Sequence, residues 1–172
     1  MNSGTTIRTI TLDDNAAIAQ IIRSTLLEYG AARPGTVYYD ESTDRLSEVF
    51  GIAGSAYYIA EQDGGIVGGA GIYPTENLDA DTCELVKMYL LPSARGTGLG
   101  RRLMDMCIDF VIESGYKRVY LETMPELKEA IRLYHKMGFE RLTAPLGDSG
   151  HHGCGIWMAK KVDQGHGNRV IR

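Results

Sequence analysis

Apolar positions along the chain change their period several times, and each change marks an element. Residues 5–11 are rich in β-branched side chains, with Ile7 and Ile10 among them, and predict a first strand. After the acidic pair Asp13 and Asp14, Ile18, Ile21, Ile22, Thr25 and Leu26 recur at intervals of three and four, which predicts a helix ending near Gly30. Residues 31–42 carry Pro34, Gly35, Tyr38 and Tyr39 and read as an aromatic loop, followed by a short helix over 43–50. Residues 56–61 and 66–73 are β-favourable runs around Gln62, Asp63, Gly64 and Gly65, the pattern of a hairpin. Residues 82–91 read as another strand. Leu99, Leu103, Met106, Cys107, Phe110 and Val111 then fall at helical spacing, with Arg102, Asp105, Asp109 and Glu113 opposite and Gly115 as the stop. A strand over 119–122 leads to Thr123, Met124, Pro125 and Glu126, spaced as a capping box for a helix whose stripe is Leu127, Ala130, Ile131, Tyr134 and Met137. Gly138 ends it, and residues 139–143 and 155–161 read as closing strands.

The order β-α-α-β-β-β-α-β-α-β-β predicts a mixed α/β or α+β fold. A chain of 172 residues suits one domain, expected over 1–162, with a polar tail over 163–172. Hydrophobic residues make up 44% and charged ones 23%, and no apolar run approaches the roughly 18 residues that a membrane span needs. The start lacks a secretory pattern, so the expected compartment is the cytoplasm. A net charge of −4 argues against sequence-independent nucleic-acid binding. Cys83, Cys107 and Cys154 lie far apart without a C-x-x-C spacing and are expected as free thiols.

The most informative chemistry is Arg95-Gly96-Thr97-Gly98-Leu99-Gly100, between a strand and an amphipathic helix. Alternating glycines let the backbone approach a ligand and aim successive N–H groups at one anion, and a helix N-terminus adds its dipole. The segment therefore reads as a pyrophosphate cradle, ringed by Arg95, Arg101 and Arg102. It lacks the lysine of a nucleotide P-loop, and Arg101 stands where a dinucleotide fingerprint needs its third glycine. Glu122 still imitates the ribose-binding acid of that fingerprint, so a dinucleotide site stays an alternative, as does a turn without ligand.

Arg95-x-x-Gly98-x-Gly100 resembles the pyrophosphate signature of the GNAT superfamily of acetyl-CoA-dependent N-acetyltransferases. The run from Glu84 to Pro92 is similar to the strand that precedes that signature, and the run from Ala130 to Phe139 to its later A-x-x-L-Y-x-x-x-G-F stretch. The similar part covers about a third of the chain. The resemblance implies a mixed sheet of about seven strands, splayed between the fourth and fifth, with helices on both faces and acetyl-CoA as co-substrate. It implies that backbone groups of Met88, Tyr89 and Leu90 pair with the pantetheine arm, that Arg95, Gly96, Thr97, Gly98, Leu99, Gly100 and Arg101 hold the diphosphate, and that Tyr134 meets the departing sulfur. Leu127 stands where many relatives have a pantetheine-binding asparagine. Homodimers are common in the family, although nothing in this sequence specifies an interface.

Acetyl transfer needs a neutral amine. A lysine-like amine of pKa ~10.4 is only about 0.04% neutral at pH 7, so a base is useful. Glu84, on the strand leading to the cradle, is the candidate, with Glu122 a second choice. By position in the resembling fold, Tyr38, Tyr39, residues 43–50, His151 and Cys154 would wall the acceptor site. Asp40, Glu41, Asp44 and Glu48 either attract a cationic amine or form a solvated face. His151, His152 and Cys154 fall short of a zinc site, and no metal is expected. The reading is an enzyme acting on a small-molecule amine, the alternative a non-catalytic acyl-CoA sensor.

Overall fold

A computed structural model describes residues 4–163. The expected tail lies, Asp163 apart, outside the described residues. The elements are β1 (Thr5–Thr9), α1 (Asn15–Glu28), α2 (Leu46–Val49), β2 (Ala56–Gln62), β3 (Gly65–Tyr73), β4 (Thr82–Leu90), α3 (Leu99–Glu113), β5 (Arg118–Thr123), α4 (Lys128–Lys136), β6 (Glu140–Arg141) and β7 (Ile156–Lys161), with short 3-10 turns between several of them. The expected order of strands and helices is the observed one.

Local chemistry sets several boundaries away from the expected positions. The first strand stops at Thr9 because Thr11 begins a capped turn: the Asp14 carboxylate accepts from the Thr11 N–H at 2.7 Å and from Arg8 at 2.7 and 2.8 Å. The β2–β3 hairpin turns through Asp63 at φ 52° and Gly64 at φ 82°, the left-handed pair that a two-residue turn matching the strand twist requires. The expected capping box at Thr123 is not formed. β5 runs on to Thr123, which pairs with Ile156 of β7, α4 begins five residues later, and Glu126 turns instead to Arg33 at 2.8 Å. On α3 the buried face is Leu99, Leu103, Met104, Cys107 and Val111, whereas Met106 and Phe110 are half-buried. The first closing strand shrinks to two residues because Phe139 leaves the sheet edge for the core.

Among the described residues seven strands form one sheet in the order β1-β2-β3-β4-β5-β7-β6. Every neighbouring pair is antiparallel except β4 and β5. Those two pair only through Thr82 with Arg118, Cys83 with Val119 and Glu84 with Tyr120. Beyond Glu84 they diverge, and β4 carries a bulge: Val86 faces Gly71 but Tyr89 faces Gly69, and Lys87 sits at φ +51°. A bulge bends its strand and strengthens the local twist, so the gap opens where the sequence resemblance implied it.

Side chains alternate between the two faces of the sheet. Cys83 and Leu85 join α3, Phe139 and Met158 in one core, while Tyr57, Ile59 and Met124 join Ile18, Ile22 and Leu26 of α1 in the other. Glu84, in antiphase with Cys83 and Leu85, therefore faces the α1 side. Each fully buried leucine or isoleucine contributes ~1.5–3 kcal/mol, which fixes this register. Among the described residues no helix is long and apolar enough to cross a membrane.

Candidate active site

From Leu85 to Leu90, β4 has lost β5 as a partner, so one edge of its backbone N–H and C=O groups borders the gap. A cleft of about 430 Å³ lies there, lined by Met88, Tyr89 and Leu90 on one side and by Ala130 and Leu133 of α4 on the other. Gly96, Gly98 and Gly100 close one end. Gly96 and Gly98 adopt φ of +72° and +85°, and a Cβ on either would meet no atom within 4 Å, so the loop is open where a ligand would lie. Gly98 directly precedes the 15-residue α3, whose unpaired first N–H groups and dipole favour an anion. The loop therefore fits a diphosphate, and Arg101, with 65% of its side chain exposed, lines the same cleft.

The other residues of the motif have different partners. The Arg95 guanidinium lines the cleft but donates to Glu28 at 2.7 and 2.9 Å, to the Tyr29 hydroxyl at 3.0 Å and to the Leu90 carbonyl at 2.9 Å. Its charge is paired with α1 and not offered freely to the glycines. The Thr97 hydroxyl donates to the Ala94 carbonyl, Leu99 packs in the core, and Arg102 reaches the Thr5 carbonyl at 3.5 Å.

A second, smaller cavity of about 40 Å³ adjoins the cleft and shares Met88, Tyr89 and Leu127 with it. It brings together Glu84, Glu122, Tyr134, His151 and Cys154. Glu84 is buried and accepts a hydrogen bond from the Thr75 hydroxyl. Burial, reinforced by Glu122, pushes its carboxyl up to about 7, against the opposing pull of Thr75, His151 and Lys87. Glu122 accepts from the hydroxyls of Tyr120 and Ser149, each at 2.7 Å. Tyr134 packs its ring 6.0 Å from that of Phe139, and its hydroxyl makes no hydrogen bond among the described residues. Burial raises the Tyr134 phenol above its ordinary range. Burial also pushes the Cys154 thiol up to about 12, with Glu122 and Glu84 adding to it, which leaves a neutral thiol rather than a nucleophile.

Tyr38 and Tyr39 do not join this group. Their rings pack edge to face at 5.0 Å, Tyr39 is 60% exposed, and neither lines the cleft or the adjoining cavity. The next residue, Asp40, reaches inward: one carboxylate oxygen meets His151 Nε2 at 2.7 Å and Lys87 Nζ at 3.1 Å. Burial works against its ionisation, but His151 and Lys87 outweigh burial and hold it at about 2. Its acidic neighbours in the sequence take the other course that the sequence left open, Asp44 pairing with Arg23 at 2.6 Å and Glu48 lying 4.0 Å from Arg45. Glu84, Glu122 and His151 also bring three potential metal-ligand atoms within 4.8 Å of one another, each residue already hydrogen-bonded to another side chain.

The sequence pattern of the Acetyltransferase (GNAT) family matches residues 18–139. The chain belongs to that family. YjgM of Escherichia coli (strain K12), described as an uncharacterized N-acetyltransferase, is 44% identical over 157 residues, which are 91% of this chain and 94% of YjgM. A GNAT acetyltransferase from Staphylococcus aureus Mu50 shares the fold at a TM-score of 0.79 and 17% identity, over 93% of this chain and 100% of that one. YncA of Salmonella typhimurium, a putative acetyltransferase solved with its cofactor acetyl-CoA, superimposes at a TM-score of 0.74 and 26% identity, over 94% and 95% of the two chains. This GNAT protein is an acetyl-CoA-dependent N-acetyltransferase.

Its GNAT motifs gave no sign of Asp40, Lys87 or Tyr57. A signal lay outside them, in Gly68, Gly69 and Gly71 of β3. A Cβ at Gly69 or Gly71 would come within 2.6 Å of the Tyr57 ring, so this strand is stripped of side chains to admit a tyrosine whose hydroxyl donates to the Lys87 carbonyl at 2.8 Å.

Proposed function

We propose that this N-acetyltransferase moves the acetyl group of acetyl-CoA onto a primary amine of a small molecule, by direct attack with both substrates bound. The observation that carries the reading is the junction of the two cavities at Met88 and Tyr89, with Glu84 buried at the far side of it and titrating near neutrality.

In this reading the diphosphate lies against Gly96, Gly98, Gly100 and the start of α3, while the β4 edge at Met88, Tyr89 and Leu90 holds the arm and aims backbone N–H groups at the acyl oxygen. Glu84 takes the proton from the acceptor ammonium, directly or through one water. A carboxylate with pKa about 7 is a far better base than one near 4.5 and is still largely ionised above neutrality. The Tyr134 hydroxyl, without another partner among the described residues, donates a hydrogen bond to the departing sulfur. Its pKa, already ~10 in free tyrosine and raised here, exceeds the ~8.5 of a thiol, so complete proton transfer is uphill and stabilisation of charge is its role.

Support for a small acceptor comes from the size of the cavity and its cover. The loop between β6 and β7 lies over it, tied down by Ser149 to Glu122, by His151 to Asp40 and by the Gly153 N–H to the Gly35 carbonyl at 2.8 Å. A protein tail would need a longer open groove. The test is an acetyl-CoA consumption screen against amino acids, polyamines, aminoglycosides and peptides, scored by thiol release. Turnover on a small amine is expected. Cofactor binding with no turnover on any amine would overturn the reading in favour of a sensor.

A further inference from the structure

We propose that Asp40 is a positioning residue that locks the acceptor-site loop and the β4 bulge into one unit, through His151 on one side and Lys87 on the other; this rests on the function proposed above.

Lys87 is a non-glycine residue at φ +51° in the middle of a strand, a conformation that persists only where the surroundings enforce it. Two contacts do so. The Tyr57 hydroxyl, from a fully buried ring, holds the Lys87 carbonyl at 2.8 Å, and Asp40 holds the ammonium at 3.1 Å on a side chain only 7% exposed. The two residues that follow, Met88 and Tyr89, line both cavities, so the bulge decides where their backbone groups point.

The same Asp40 oxygen that meets Lys87 also meets His151 Nε2 at 2.7 Å. His151 belongs to the loop covering the acceptor cavity and lines that cavity. A single carboxylate oxygen thus joins the wall that an acceptor touches to the strand that presents the acyl donor. Asp40 itself lies in the short link between two 3-10 turns and lines neither cavity, so it acts only through the residues it holds.

The experiment compares Asp40→Asn, Lys87→Met and the double variant in two measurements: steady-state kinetics with the best amine of the screen, and amide hydrogen exchange of the ligand-free protein. Each single variant should lower kcat about tenfold with the KM for acetyl-CoA within about twofold, and the double variant should be no slower than the slower single one, the non-additivity of residues that act as a unit. Exchange in Asp40→Asn should rise about fivefold in residues 85–91 and in 149–155 together. Multiplying rate losses, or faster exchange confined to 149–155, would overturn the proposal, the latter leaving Asp40 as a local loop anchor. Absence of turnover in the unmodified protein would sink the proposed function instead, and the exchange result would still decide the role of Asp40.

Discussion

Glu84 and Glu122 face each other across the opening between β4 and β5, each with a carboxylate oxygen within 4.8 Å of the other and of a His151 ring nitrogen. Glu84 is the more deeply buried of the two, and burial, with the neighbouring Glu122 adding to it, pushes its carboxyl up to about 7, which suits it to the base role proposed above.

The rate consequence is a pH profile. In the free enzyme Glu84 is protonated and idle below about 7 and ionised above it, so kcat/KM should rise through neutrality and level off. Glu84→Gln should lower kcat/KM by about a hundredfold at pH 7 and abolish that inflection, leaving only the titration of the amine itself. Rates measured from pH 5.5 to 9 check this, and a surviving inflection near 7 would remove Glu84 from the mechanism.

The same substitution should stabilise the fold. A carboxyl whose folded pKa is raised from 4.5 to about 7 destabilises the native state once ionised: the penalty is absent below the unfolded value, grows between the two and is complete above about 7. Its size is about 3 kcal/mol at most. Glu84→Gln should therefore melt several degrees higher than the unmodified protein at pH 8, with the gap closing by pH 4, the trade of stability for activity expected at a catalytic site. Equal melting temperatures at pH 8 would contradict it.

Asp14 titrates with the opposite sign. The hydrogen bond from Arg8 leads in holding its carboxyl at about 2, below the ordinary 3.8, so its stabilisation is complete above the ordinary value and lost as pH falls towards 2. Asp14→Asn should cost about 2 kcal/mol at pH 7, with the difference shrinking steadily below pH 4. Urea unfolding at pH 7 and pH 3 measures both ends.

Tyr134→Phe separates catalysis from packing. The ring stays against Phe139 and the hydroxyl has no partner to lose among the described residues, so the melting temperature should hold within about a degree. A hydrogen bond to developing thiolate predicts kcat down about tenfold with the KM for acetyl-CoA kept. Normal turnover would reduce Tyr134 to a core aromatic.

The places of the glycine loop, Glu84 and Tyr134, at a turn, on a strand and on one helical stripe, were legible from local spacing, whereas the role proposed for Tyr134 came through resemblance. The gap between β4 and β5 came through resemblance alone, since nothing in residues 82–91 or 118–123 announces where a parallel pair stops. Asp40 was hidden by its composition, one acid among four in residues 40–48, and only the fold separates it from the exposed Asp44, which pairs with Arg23. Tyr38 and Tyr39 misled for a related reason: the 3-10 turn over Val37–Tyr39 buries Val37 and turns both tyrosines aside, a facing that loop composition does not encode. The capping box failed because pairing with β7 claimed Thr123 for the sheet, a tertiary contact overriding a local motif.

Gly98 and Gly115 make a matched pair that isolates ligand binding from backbone strain. They stand at opposite ends of α3, at φ +85° and +81°, and a Cβ at either meets no atom within 4 Å. Alanine at either position therefore pays the same left-handed penalty, ~1 kcal/mol, and both variants should lose a similar few degrees of melting temperature. Only Gly98 lines the cleft proposed for acetyl-CoA, where an added methyl group would occupy the space over the cradle and hold the first turn of α3 away from a diphosphate. Gly98→Ala should accordingly raise the KM for acetyl-CoA about tenfold with little change in kcat, while Gly115→Ala leaves both constants near those of the unmodified enzyme. Equal KM values in the two variants would mean that the loop only closes a turn, and the diphosphate would have to be sought elsewhere along the cleft.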